Sequence, residues 1–528
     1  MKRRLAVLVA VFLLVVPAAI AAPAVKSLEV SLDRFDRAEH FAQMRSLHER
    51  LQSSAVDLAF TVPLEVRVNP EERGSRDLTP TSPQKMRVGV VETLSVPVSF
   101  SGRRPQRGVA VLHETFGAMR ADDDGGFVWD GVIRSPEAAA SRVHITGLDL
   151  PEGAALYVFT RDGMAFGPYT GRGPNGTGEL WTNTVAGAEV IVHLRAGAAE
   201  IPTFTISGFG HLTPAFAMAR NIKPITQAGT APCSYNASCV VDAACTAENS
   251  AVNTAADAVA HILFASGGWL YICTGGLVAD SDTSSEVPYF LTANHCISKS
   301  SEAASMETFF FYRASTCGSC PDPGAANTNG ASIVASNRTS DYTLMRLSQN
   351  APSGAAFLGW NADAVANTNG VPLYRLSHPQ GAPQSYSEHV VDTSKVTCRS
   401  WPRGNWIYSR DVFGATEGGS SGSPVVNAQG QIVGQLSGAC GYNVNDVCAA
   451  DENATVDGAF AAYYSAVAGI LGSGDGGGGC VDNDGDGYCV EDGDCNDNDA
   501  TINPGMNDKR GKYGKNGIDN DCNGVIDG

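Results

Sequence analysis

The chain has 528 residues, 43% of them hydrophobic, and a formal net charge of −18. That length exceeds the usual one-domain range of about 100 to 200 residues, and the apolar share suffices for packed cores, which excludes a disordered chain. The acidic balance argues against nucleic acid as a partner. Fourteen cysteines, none before Cys233, point to disulfides in an exported protein.

In chain order, residues 1–22 read as a secretory signal peptide. Lys2-Arg3-Arg4 is basic, the stretch from Leu5 towards Val16 is apolar, and Ala18-Ala19-Ile20-Ala21-Ala22 supplies small residues for cleavage. The apolar run is short for a membrane anchor, and no later segment has about twenty unbroken apolar residues. A secreted, extracellular product with no stable membrane anchor is expected.

Residues 23–228 lack cysteine. Phe35, Phe41, Met44, Leu47 and Leu51 recur at helical steps. After Pro63 the pattern alternates, as in 64–68 and 85–90, and further strands are expected at 155–159 and 189–194 with glycine-rich turns between. This is a β-sandwich-like module, read as a pro-region with a permanent accessory domain as the alternative. Arg220 and Lys223 make 219–232 a candidate processing linker. Residues 229–471 carry many short strands and turns, which predicts a mainly β fold closed by a helix near 461–468. Residues 472–479 are a glycine-rich linker. The tail, 480–528, has too few apolar residues to bury a core of its own.

The chemistry centres on Gly418-Gly419-Ser420-Ser421-Gly422-Ser423-Pro424, set between apolar extended runs. A nucleophilic serine needs a tight turn and small neighbours, so that backbone N–H groups can face a developing oxyanion. Upstream stand Leu291-Thr292-Ala293-Asn294-His295-Cys296 and Asp341-Tyr342-Thr343-Leu344. The order His, Asp, Ser is that of chymotrypsin. Together with Cys273-Thr274-Gly275-Gly276-Leu277 and Thr416-Glu417 before the glycines, these motifs resemble chymotrypsin-like serine proteases. The likeness is to the secreted bacterial lysyl endopeptidase branch, over roughly 229–471.

The resemblance implies two six-stranded antiparallel barrels with the active site between them. It implies Ser421 as nucleophile, His295 as general base, Asp341 as the group orienting the imidazole, and the N–H groups of Gly419 and Ser421 as oxyanion hole. It also implies disulfides Cys273–Cys296, Cys239–Cys440 and Cys245–Cys317 (or Cys320 in place of Cys317), with Cys233, Cys398 and Cys448 unassigned. No cofactor is expected for catalysis, and the substrates would be proteins or peptides met by a monomer.

Specificity departs from the pattern. Trypsin-like enzymes carry an Asp six residues before the nucleophile, where this chain has Ala415. Asp457, Asp451 and Glu452 are candidates for a pocket taking basic side chains such as Lys, or are solvated loop acids. Ser437, Gly438 and Ala439 would form the wall that pairs with substrate backbone. Two other readings stay open: an idle protease-like domain used for calcium-dependent adhesion, and a secreted esterase.

The tail suggests a second chemistry. Asp482, Asp484 and Asp486 alternate before Gly487, as in the opening of a calcium loop, where the cation takes six to eight oxygens. Gly493 stands where an EF-hand has Glu, so Asp492 or Asp494 would complete the shell. Asp519, Asp521, Asn523 and Asp527 outline a second loop, and Asp497 and Asp499 are further donors. The tail resembles the Asp-rich metal-binding repeats of secreted bacterial proteins, which implies structural calcium.

Overall fold

In the computed structural model the described residues are 23–29, 35–57, 62–68, 85–101, 112–113, 116–122, 125–161, 163–197, 201–213, 236–246, 250–282, 285–319 and 325–472, with 495, 496, 499, 501, 502, 518 and 520 beyond them. The signal peptide, the 219–232 linker and the proposed calcium ligands Asp482, Asp484, Asp486, Asp494, Asp519, Asp521, Asn523 and Asp527 lie outside the described residues, whereas Asp499 is described and accepts from the Thr501 N–H and Oγ1.

The helix read from the Phe–Met–Leu spacing runs Arg37–Ser54. It starts where Asp36 accepts from the N–H groups of Ala38 and Glu39 at 2.9 and 3.0 Å, which satisfies two of the orphan donors of the first turn. Its Leu51 is buried with Val132, Phe159 and Ile191. Two sheets then face each other. One carries Ala118–Ala121, Phe127–Arg134, Glu189–Ala196, Ala155–Phe159 and Ala165–Tyr169 in spatial order. The other carries Leu180–Trp181, Ala140–Asp149, Thr203–Leu212 and Met86–Ser101. Alternate residues point inward, so Phe127, Trp129, Val190 and Leu194 from the first sheet meet Val143, Ile145, Phe204 and Ile206 from the second.

The second sheet does not end at Met86–Ser101. That strand pairs with Trp269–Val278, the second strand of the first of two barrels. The barrel continues through Val259–Ser266 and Glu307–Phe310 on one side and Tyr289–Ala293 and Tyr342–Leu347 on the other. A bent strand closes it: Ala326–Asn329 pairs with Glu307–Phe310, and beyond Gly330 the chain pairs with Tyr342–Leu347 as Ala331–Asn337. Gly330 has φ +78, a conformation that glycine adopts freely. The second barrel is a ring of six antiparallel strands, Ser385–Val391, Pro372–Ser377, Pro424–Val426, Ile432–Gly441, Asn453–Ala459 and Trp406–Phe413, closed by pairing of the last with the first. The two-barrel, chymotrypsin-like fold expected from the motifs is what the strands form.

The helix Phe460–Leu471 follows. The chain divides into two compact units, one holding residues up to Ala279 and 288–469, the other 280–287 and 470–528. Within the smaller unit, the N–H and Oγ of Ser281 donate to the carbonyls of Leu471 and Gly472, each at 2.8 Å.

Candidate active site

Antiparallel pairing of Tyr289–Ala293 with Tyr342–Leu347 sets Ala293 opposite Tyr342, so the residues just beyond, His295 and Asp341, meet at the end of the ladder. Asp341 has φ +50 and is bound twice to one histidine. His295 Nδ1 lies 2.8 Å from Asp341 Oδ2, and the His295 backbone N–H donates to Oδ1 at 2.8 Å. The side chains are 15% and 11% exposed, so the pair is sheltered while the imidazole remains reachable. Cys296, bonded to Cys273, lies with its Sγ 3.8 Å from His295 Nε2 and 3.7 Å from the Ser421 carbonyl oxygen. The histidine edge therefore faces the serine turn. The cysteines beside His295 are bonded to each other, so they offer no thiolate pair to a metal.

The serine turn is built from positive-φ glycines. Gly422 (φ +82) admits no side chain, since a Cβ there would sit 2.1 Å from Thr292 Oγ1. Gly419 (φ +98) is equally confined, with the His378 carbonyl oxygen 2.9 Å from its Cβ position. The Gly418 carbonyl accepts from the Gln380 N–H at 2.6 Å. In a planar trans peptide this turns the Gly419 N–H the opposite way. Among the described residues neither the Gly419 nor the Ser421 N–H has a protein acceptor. The two serines differ: Ser420 is fully buried and its hydroxyl accepts from Ser377 Oγ at 3.0 Å, whereas Ser421 is 8% exposed.

Ser437 and Gly438 lie on Ile432–Gly441. That strand pairs with Pro424–Val426 from Ile432 to Gln435, and Leu436 exchanges backbone bonds with Gly422 and Ser423 at 2.8 and 2.9 Å, so the edge not taken by that side begins at Ser437. Asp457 does not reach a pocket. Leu436 is its register partner, its side chain is fully buried inside the barrel, and Arg375 Nη2 neutralises it at 2.6 Å. Asp451 and Glu452 are exposed loop residues.

Disulfides Cys273–Cys296 and Cys245–Cys317 are present. The expected Cys239–Cys440 is not: Cys239 joins Cys448, and Cys440 joins Cys398. Cys440 faces Trp406, Tyr408 and Val456, the cluster against which Cys398 and Trp401 pack, so the loop before Trp406–Phe413 reaches it rather than the start of the domain.

Several residues with site roles are not singled out by the motifs. Arg375 Nη1 donates to the Ser423 carbonyl at 3.0 Å, directly behind the nucleophile turn. Glu417 accepts from the Ala237 N–H at 3.1 Å and from Asn236 Nδ2 at 2.6 Å. Thr455, paired with Ala439, donates to Asp411 Oδ1 at 2.6 Å, and Asp411 also bonds His389 Nδ1 at 2.8 Å. Burial pushes the Asp411 carboxyl up, but His389, Thr455 and Arg375 outweigh this and hold it below the usual carboxylate range. The available signal was Asp411 four residues before Ala415, on a strand of alternating pattern.

Two six-stranded antiparallel barrels, with His295 and Asp341 on the first and Ser421 on the second, make up a chymotrypsin-like fold. Residues 234–454 match the family model described as the C-terminal domain of lysyl endopeptidase. A lysyl endopeptidase of Pseudomonas aeruginosa is 31% identical over 246 residues, 44% of this chain and 50% of that protein. A secreted RxLR effector protein of Plasmopara viticola is 27% identical over 183 residues, 33% of this chain and 42% of that protein. The chain thus spans half or less of the length of these relatives. Among solved structures, a Mycobacterium tuberculosis protease in its active form aligns with 44% of this chain and 91% of its own, at 15% identity and TM-score 0.31. A Yersinia pestis serine endoprotease aligns with 43% of this chain and 68% of its own, at 16% identity and TM-score 0.31. Over its protease-like domain the chain resembles the lysyl endopeptidases.

Proposed function

We propose that the chain is a secreted serine endopeptidase that works through an acyl-enzyme on Ser421. The observation that carries this reading is the pair of hydrogen bonds between one histidine and Asp341: the His295 backbone N–H fixes the carboxylate, and Nδ1–H donating to Oδ2 orients the ring with Nε2 left to accept. As Ser421 Oγ attacks a peptide carbonyl, its proton passes to His295 Nε2. The carbonyl electrons move onto oxygen, towards the N–H groups of Gly419 and Ser421, each such donor being worth about 10²–10³ in rate. On collapse the imidazolium gives its proton to the departing amine, and a water repeats the sequence on the acyl-enzyme. The strand edge beyond Leu436, at Ser437–Ala439, suits an extended peptide adding to the sheet, a need that an esterase lacks. Labelling of Ser421 by a fluorophosphonate, with hydrolysis of a denatured test protein, is the expected result. No label and no hydrolysis would leave an idle protease-like domain.

For specificity, Asp411 takes the place that Asp457 cannot fill. It lies under the Ala439–Thr455 pair, with its side chain 13% exposed. Asp411, bonded to His389 and Thr455 and with its side chain partly exposed, is the carboxylate that would receive a basic side chain, Lys by the resemblance, at the cleaved bond. Asp411→Asn keeps an acceptor for Thr455 and His389 and should lower the Lys-over-Leu ratio of kcat/KM at least about tenfold. An unchanged ratio would remove Asp411 from the pocket.

The Asp-rich tail is proposed to bind structural calcium through alternating oxygen donors of the type a hard cation takes. Calorimetry on the full chain should show uptake at micromolar to millimolar calcium and protection of the tail from proteolysis. No heat and no protection would mark it as an acidic solvated tail. Among the described residues no helix is long and apolar enough to cross a membrane.

A further inference from the structure

Asp341 has φ +50, in the left-handed region that a residue with a side chain rarely enters. Such a backbone persists only where its surroundings hold it. The carboxylate is engaged by His295, so the hold on the backbone comes through the carbonyl. That carbonyl accepts from the Asn294 N–H at 3.0 Å and from Gln435 Nε2 at 3.1 Å.

Gln435 belongs to the other barrel. It lies on Ile432–Gly441, opposite Pro424 on one side and Gly458 on the other, and is fully buried. The same Nε2 also donates to the Ser340 carbonyl at 3.1 Å, and Oε1 accepts from the Tyr463 hydroxyl at 2.6 Å. Both N–H donors and the amide oxygen are thus in use, and a flipped amide would set Oε1 against two carbonyl oxygens. Gly458 keeps the space open, since a Cβ there would collide with Gln435 Nε2 and the Ser340 carbonyl. Among the described residues Gln435 is the only side chain of the second barrel bonded to Asp341.

Tyr463 stands on the helix Phe460–Leu471, and its ring stacks on Tyr342, the residue after Asp341, with centroids 4.0 Å apart. Burial pushes its phenol well up, so it stays a donor through the neutral range. The next residue of the Gln435 strand holds the nucleophile turn: the Leu436 N–H donates to the Ser423 carbonyl at 2.9 Å, and its carbonyl accepts from the Gly422 N–H at 2.8 Å. Adjacent residues of one strand therefore grip Asp341 by a side chain and the Ser421 turn by the backbone.

We infer that Gln435 is a positioning residue. It locks the Asp341 backbone in its left-handed conformation and fixes the His295–Asp341 pair against the Ser421 turn, with Tyr463 holding its amide. For its effect on rate the inference rests on the endopeptidase reading, and the test separates the two.

The test uses the full chain. Gln435→Leu removes both donors, and kcat on a peptide should fall about 10–100-fold with KM within about twofold, the loss expected when a triad member is misplaced by up to about 1 Å. Tyr463→Phe keeps the ring on Tyr342 and removes only the donor to Oε1. It should lower kcat about threefold to tenfold, and it decides the matter should Gln435→Leu fold poorly. In an Asp341→Asn background Gln435→Leu should cost less than about twofold more, because residues that act as a unit are not additive. An equal factor in both backgrounds, or an unchanged kcat in both single variants, would overturn the inference. The low-field proton resonance of the His295 Nδ1–H bonded to Asp341, identified by its loss in Asp341→Asn, needs no hydrolysis. It should broaden or vanish in Gln435→Leu and Tyr463→Phe, and a resonance unchanged in both would remove the positioning role whatever the activity. A parent chain that hydrolyses nothing, yet whose resonance responds to Gln435, would sink the endopeptidase reading and leave the positioning intact.

Discussion

The first barrel is filled by apolar side chains, among them Ile262, Phe290, Phe310 and Met345, whereas one end of the second holds Arg375, Asp457, His389 and Asp411. The difference follows from what each barrel must keep still. His295 and Asp341 extend from two paired strands, so a backbone ladder and an apolar core suffice to position them. Ser421 sits in a turn whose residues 418–423 are all glycine or serine and have nothing apolar to pack. That turn is held by its carbonyls: Gly418 accepts from the Gln380 N–H, Gly419 from Thr274 Oγ1 at 2.8 Å, Ser421 from the Thr274 N–H at 2.8 Å, and Ser423 from Arg375. A nucleophile on a side-chain-poor turn needs a polar barrel beneath it, and the charges there are the consequence.

The largest effect should come where the barrels meet. Ser421→Ala should cost about 10⁴–10⁶ in kcat, and Asp341→Asn about 10⁴. Ser420→Ala should cost less than about tenfold in the same peptide assay, because Ser420 is fully buried and its hydroxyl is taken up by Ser377. Activity surviving in Ser421→Ala but not in Ser420→Ala would move the nucleophile by one residue.

Next in size is the contrast of the two interiors. Arg375→Met strands a fully buried carboxylate and should destabilise the protein by about 3–5 kcal/mol in urea unfolding. Replacing both partners, Arg375→Met with Asp457→Leu, should recover most of that stability yet leave kcat depressed, because Ser423 still lacks its donor. In the first barrel Met345→Ala should cost about 2–5 kcal/mol through a cavity. If the double replacement also restored kcat, the charges would be packing alone.

A smaller effect separates the two sides of the nucleophile turn. In many chymotrypsin-like zymogens a freed α-amino group pairs with an Asp just before the nucleophile, a position held here by Ser420. Glu417 instead receives the Ala237 N–H and Asn236 Nδ2, partners that exist in an uncut chain. Extra residues left before Pro232 should therefore leave activity nearly unchanged, while Glu417→Ala should lower kcat about tenfold. A hundredfold loss from the extension would show that a free N-terminus is needed.

How much of this was legible in the sequence depends on the range of the interaction. The helix at 37–54 and the strands near 86, 155 and 189 follow from period and alternation, and the triad residues stand out because three motifs occur in one order. Partners set by the closing of a barrel do not show. Arg375 lies in Leu373-Tyr374-Arg375-Leu376, where alternation leaves its direction open, and only the ring of six strands turns it inward onto Asp457. The same closure buried Asp457, chosen from sequence as a pocket acid. It also gave Cys440 to Cys398 rather than Cys239, since cysteine spacing carries no information on connectivity.

The smallest predicted effect is a pH dependence that divides the barrels. Burial raises the Glu302 carboxyl, but the bonds from Lys85, Ser266 and Ser298 outweigh it and hold it below the usual range; Asp411 is depressed in the same way by His389 and Thr455. A carboxyl depressed in the folded state contributes stability that is fully present above its unfolded pKa, about 3.9 for Asp and 4.3 for Glu, and lost as pH falls through the folded value. Both barrels should therefore weaken below about pH 4. Lys85→Met removes the largest hydrogen-bonding contribution to the Glu302 shift, and Thr455→Val removes one of the bonds that depress Asp411. Each variant should be less stable than the parent at pH 6, by about 1 kcal/mol for the partly exposed Lys85 pair, and the gap should narrow as pH falls below about 4 and close below the folded values. Urea midpoints from pH 6 down through the acid range give the measurement. Parallel curves for Lys85→Met would mean that Glu302 owes its ionised state to Ser266 and Ser298 alone, and that the N-terminal module does not tune the first barrel's acid stability.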